Sequence, residues 1–173
     1  MLAQVFRQNK INLLYGESGC GKTISAIKAL NAEGITPILF DLDDNDSPEQ
    51  NNCEYIHVDG YLALANKRLV MPDNKVIIVD TWHKFKSAGG IIEKLELIAE
   101  TNTVILIDHN QSLATKQDIP TMSPELVNHL GSKLWLERTK KGETNLHIKK
   151  CRGYRGGSPI VNWMRIPTIT EEQ

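Results

Sequence analysis

Several features are scarce or missing in this chain, and each absence narrows what it can be. Among 173 residues there are only three cysteines, Cys20, Cys53 and Cys151, far apart and with no C-x-x-C pair. That pattern excludes a disulfide framework and a cysteine zinc site, and it fits a reducing compartment. The net charge is −1, so no overall field marks the chain as a polyanion binder. No apolar run reaches the roughly 18 residues that a membrane span requires, and the N-terminus has no signal-peptide core. There is no internal repeat and no low-complexity linker. What remains is an apolar fraction of 40% in a length that fits one domain, residues 1–173, with enough chain to bury a core.

Charge is segregated along the chain. Asp41–Glu54 carries six acids and no base, whereas Lys133–Arg165 carries nine bases against Glu137 and Glu143. Such segregation suits a polyanion-facing side, or subunits that meet acid to base. The apolar pattern alternates strand with helix. KINLLYG, TPILFDLD, NKVIIVDTW and TVILIDHN read as buried strands. KTISAIKALNAEG repeats apolar residues at helical spacing and stops at Gly34, and GGIIEKLELIAETN reads as an amphipathic helix. YLALANKRLV and SPELVNHLG are further helix candidates. KLWLERT, NLHIKKC and IVNWMRI form a β-rich end joined partly by hairpins. The expected fold class is α/β, with a mostly parallel central sheet and helices on both faces.

Between the first strand and the first helix lies GESGCGKT, which fits G-x-x-x-x-G-K-[ST] at every position. The loop comprises Gly16, Glu17, Ser18, Gly19, Cys20, Gly21, Lys22 and Thr23. Its glycines permit a tight bend with inward N–H groups, and the helix adds the positive end of its dipole. Lys22 is placed to reach the β- and γ-phosphates of ATP, and Thr23 to put a hydroxyl on Mg²⁺. In that pose a bound nucleotide should shield Cys20 from alkylation. A second carboxylate must complete the magnesium shell. Asp41, Asp80 and Asp108 all end apolar strands, at the edge where open α/β sheets bind ligands.

The order of these parts resembles the RecA-like P-loop ATPase superfamily, which includes recombinases, hexameric helicases and small phage or plasmid relatives. The resemblance runs from about Lys10 to Arg165. VIIVDTWHKF is similar to the Walker B segment, which puts Asp80 in the metal shell with Thr23. ILFDLDDND is similar to the segment carrying the general base. It implies Asp43 in that role, with Asp44 as a rival, although the family usually has Glu. VILIDHN resembles the sensor strand and implies His109 as γ-phosphate sensor. HIKKCRGYRGG resembles the K-x-R stretch of hexameric helicases and implies Lys150 and Arg152 as fingers acting on a neighbour's nucleotide. The family's DNA loops fall on WHKFKSAGG and NQSLATKQDIPTMS, implying Lys84, Lys86 and Lys116 as contacts to single-stranded DNA.

The resemblance therefore implies a Mg²⁺-dependent, DNA-stimulated ATP hydrolase in phage or plasmid recombination or replication. Its expected form is a core-only recombinase or annealing protein, with a hexameric DNA helicase as the alternative. The implied assembly is a homo-oligomer, a hexamer or a filament, with no membrane association. The implied location is the cytoplasm, that of a bacterial host if the chain is phage-encoded. Other readings are a nucleotide-dependent switch and a small-molecule kinase. A kinase should carry an arginine-bearing lid and an acceptor pocket, and no such segment is read between Asp41 and Pro72, where the one arginine is Arg68.

Overall fold

The structure, a computed structural model, describes residues 5–41, 52–57, 71–80, 90–109, 129–151 and 160–161. Among them β1 (Ile11–Gly16) leads into α1 (Lys22–Ala32), β2 (Ile38–Asp41), β3 (Glu54–His57) and β4 (Val76–Asp80). After these come α2 (Ile91–Ala99), β5 (Thr103–His109), β6 (Ser132–Arg138), β7 (Thr144–Cys151) and β8 (Ile160–Val161). The strands form one sheet in the order β3-β2-β4-β5-β1-β6-β7-β8. The run from β3 to β6 is parallel, and β7 and β8 return antiparallel.

Strand alternation sorts the apolar residues into two layers. Leu13, Tyr15, Phe40, Val79 and Leu106 pack on one face with Leu95 and Ile98 of α2. Leu14, Leu39, Ile78, Ile105 and Leu134 pack on the other with Ile27 and Leu30 of α1. All six residues of β1 are buried, because helices cover this part of the sheet on both sides. Across β6 the pattern changes to strict alternation, with Leu134 and Leu136 buried and Trp135 half-buried between them. The expected helices keep their stops: Gly34 takes φ +77° just past α1, where a side chain would be strained. The short strand β3 was not anticipated from the sequence. The helix candidates YLALANKRLV and SPELVNHLG lie wholly or almost wholly outside the described residues.

A single buried amide ties the lower end of the sheet together. Asn12, on β1, is fully buried. Its Oδ1 accepts from the Arg7 backbone N–H at 2.9 Å and from the Ser132 hydroxyl at 2.7 Å. The two N–H groups of its Nδ2 are shared among the carbonyls of Arg7, Lys10 and Val104 at 3.1, 3.1 and 3.2 Å. One side chain on β1 thus satisfies polar groups on β5, β6 and the entering segment. Replacing Asn12 with alanine strands several of these groups and should cost about 2–4 kcal/mol of unfolding free energy. Urea titration should show a lower midpoint with an unchanged slope.

Candidate functional site

β1 delivers Gly16 to the C-terminal edge of the sheet, and the chain turns directly into α1. Gly16 passes so close to β6 that a Cβ there would lie 2.3 Å from the Leu136 carbonyl oxygen. No side chain fits. Gly19 and Gly21 have φ of +73° and +83°, and Gly21 caps the helix from this left-handed conformation. The Gly21 carbonyl then accepts the Ser25 N–H at 2.9 Å as the first helical turn closes. The spacing of glycines in the sequence is thus matched by backbone demands, with steric contact at the first and positive φ at the other two.

Lys22 and Thr23 open the helix and are both nearly buried. The Lys22 ammonium donates to the Glu17 carbonyl at 2.7 Å and to the Gly16 carbonyl at 3.2 Å. It also lies 3.4 Å from Nδ1 of His109, the last residue of β5. An ammonium only donates, so in this contact Nδ1 is the acceptor. The Thr23 hydroxyl donates to Oδ2 of Asp80 at the end of β4. These two oxygens, one hydroxyl and one carboxylate, are hard donors of the kind that Mg²⁺ takes.

Alternation decides which strand-end carboxylates join this group. Leu39 and Ile78 face α1, so Asp41 and Asp80, two residues on, face it too. They sit opposite each other in register on β2 and β4, with Asp41 almost fully buried. Leu106 faces α2, so Asp108 faces that side. It is fully buried and its Oδ1 accepts the His109 N–H at 2.8 Å. Of the three candidates in the sequence, Asp108 is therefore turned away from the glycine loop. It braces the backbone that carries His109.

The remaining sequence candidates divide sharply. Asp43, Lys84, Lys86, Lys116 and Arg152 lie outside the described residues. Lys150 pairs in register with Lys133 on β6, and Lys133 with Leu13 on β1. Gly16 is three residues further along, about 10 Å at the usual strand rise. Lys150 thus sits well down the sheet from the glycine loop and two strands to the side. The pairing also slips between Lys133 and Leu134, leaving Lys149 as an extra residue in β7. Trp135 stacks on His147 at 4.3 Å, with the Lys149 ammonium 5.1 Å from its ring centre. His147 in turn meets Glu137 at 2.8 Å.

Comparison with solved structures finds a match to the crystal structure of the RadB recombinase. The TM-score is 0.68, with 16% identity over 90% of this chain and 87% of that one. The fold is RecA-like. No protein-family model matches the sequence, and no curated protein matches it. The strand-loop-helix unit, the mostly parallel sheet and the antiparallel β7 and β8 are thus the RecA-like arrangement that the sequence pattern led one to expect. No described helix is long and apolar enough to cross a membrane.

Cys20 corrects one expectation. Its thiol points under the loop, 3.8 Å from the Leu136 carbonyl, and the residue is 2% exposed. Burial pushes the thiol pKa up, against the opposing pull of Lys22. A raised pKa leaves less thiolate at neutral pH, and thiolate is the reactive form. A bound nucleotide therefore has no accessible Cys20 to shield. In a chain with Cys53 and Cys151 changed to Ser, iodoacetamide at pH 7 should label Cys20 at least tenfold more slowly than in the denatured chain. Added nucleotide should leave that slow rate unchanged; mass spectrometry at timed points reads both.

Proposed function

We propose that this chain is a Mg²⁺-dependent ATP hydrolase that acts on single-stranded DNA in recombination, as a core-only recombinase or annealing protein. The observation that carries the reading is the Thr23 hydroxyl on Asp80, next to a buried lysine under a glycine loop. This set supplies the parts that phosphoryl transfer needs in its bound substrate, namely positioning and positive charge. The name of the RadB recombinase, which shares the fold, supports the recombination role.

In this reading Gly16–Thr23 wraps the triphosphate, and Lys22 exchanges its loop carbonyls and His109 for phosphate oxygens. That exchange takes Lys22 away from Nδ1 of His109, which is how the ring would register an occupied site. Thr23 and Asp80 would hold Mg²⁺, which when bound supplies charge neutralisation at the phosphate oxygens. Asp43 orients the attacking water. Lys84, Lys86 and Lys116 contact the DNA backbone. Lys150 and Arg152 act on the nucleotide of a neighbouring chain in a homo-oligomer, and the register of Lys150, remote from its own loop, supports action between chains. A finger of this kind contributes about 10³–10⁵ in rate.

Lys22→Ala should abolish ATP turnover, with or without single-stranded DNA. The intact chain should hydrolyse faster with that DNA, and rising salt should weaken the stimulation. Phosphate release measured across a salt series checks both, and unchanged turnover in Lys22→Ala would remove the loop from the chemistry. Chains carrying Arg152→Ala and chains carrying Asp43→Asn should each be nearly inactive alone. Mixed under conditions where oligomers form, they should recover activity, because some junctions then combine an intact base with an intact finger.

A further inference from the structure

A cavity of about 290 Å³ opens at the end of the sheet remote from Gly16. It lies between the last turn of α1, through Leu30, and the first residues of β4 and β5, Val76 and Thr103. Lys22 opens the same helix, about 12 Å from Leu30 at the usual helical rise. The cavity is therefore separate from the glycine loop. Its floor is apolar, with Phe6, Leu30 and Ile105 from the layer beneath α1. A dry void of about 150 Å³ takes benzene, so this larger and open one admits a two-ring molecule with a substituent.

The rim is rich in carboxamides. Gln8, Asn9 and Asn74 line the opening, and all three residues are exposed. Asn9 and Asn74 have φ of +52° and +59°, and among the described residues they alone adopt positive φ without being glycine. Their backbone N–H groups are tied inward, to the Thr103 hydroxyl at 3.3 Å and the Thr101 carbonyl at 2.8 Å. The backbone is thus held, and the carboxamides are left to serve the opening. Left-handed non-glycine residues are uncommon, and two around one cavity suit a site built for contact. Charge at the rim does not favour an anion. Lys75 is the one base among the lining residues, and Glu54 already pairs with it at 3.5 Å. Glu33 adds a second carboxylate. The site thus suits a neutral, flat molecule with hydrogen-bonding edges.

A carboxamide carries a donor and an acceptor side by side. Adenine carries the complement on two edges, an acceptor at N7 or N1 beside one hydrogen of the N6 amino group. Each edge takes one carboxamide. Guanine puts the acceptor O6 beside N7, so a carboxamide cannot both give and accept there. We propose that this cavity binds adenosine, an adenine nucleoside without phosphate, with the ring on the apolar floor and its edges on the carboxamides of Asn9 and Asn74. The proposal does not rest on the nucleotide reading of the glycine loop, since this site needs neither phosphate nor metal.

Equilibrium dialysis of the intact chain against radiolabelled adenosine, without Mg²⁺ or ATP, tests it. Binding should saturate at one adenosine per chain. AMP and guanosine should each compete at least tenfold more weakly, AMP for its charge and guanosine for its O6. Asn9→Gly and Asn74→Gly each remove one carboxamide and keep the left-handed backbone unstrained. Circular dichroism should show both folded, and each should weaken adenosine binding at least fivefold. Gln8→Trp, at an exposed position, sets a large ring at the opening and should weaken binding as much, which keeps the test decisive if a glycine variant does not fold. Lys22→Ala should bind adenosine like wild type, which separates this site from the glycine loop. A wild type without saturable binding, equal competition by AMP or guanosine, folded cavity variants that bind normally, or loss of binding in Lys22→Ala would overturn the proposal.

Discussion

The contact that everything else at the site depends on is made by a missing atom. Gly16 lies against the Leu136 carbonyl so closely that even a methyl group is excluded. That approach seats the glycine loop directly on β6 and fixes where α1 begins. Lys22 then falls beneath the loop and Thr23 toward β4, because a helix capped by Gly21 makes them its first two residues. Any residue with a side chain at position 16 would push the loop away from β6 and shift both groups.

The second determinant is the strict two-residue period of the strands. It places Asp41, Asp80 and His109 on the face that α1 covers and puts Asp108 on the other. The resulting division of labour is chemical as well as geometric. Carboxylate and hydroxyl oxygens gather near Thr23, whereas carbonyls and an imidazole nitrogen gather around the Lys22 ammonium. A cation thus has partners on one side of the loop, and a lysine is held ready on the other.

The same sheet separates functions by end as well as by face. Its C-terminal edge carries the loop, and its N-terminal edge is secured by Asn12, whose amide joins three strands and the entering segment. A cavity of about 290 Å³ lined by Phe6, Asn9 and Asn74 opens at this second end.

Much of this was legible in the sequence. GESGCGKT between an apolar strand and a helical pattern already specified the loop, because glycine spacing reports backbone demands that are local. The continuous apolar runs of β1, β4 and β5 specified a buried parallel sheet for the same reason. Short β3 was not legible: its four residues pair with β2 through backbone bonds that leave no pattern in so short a run. The sequence could not choose between Asp80 and Asp108 without a family likeness, since both end apolar strands. Nor could it show that Cys20 points into the core or that Lys150 sits far down the sheet from the loop. Those facts depend on which face a strand turns inward and on which strands are neighbours. Residue order alone determined that a tight glycine loop joins β1 to a helix. Only long-range packing decided which groups face that loop, because they come from β4, β5 and β6, well over fifty residues away along the chain but brought together in one sheet.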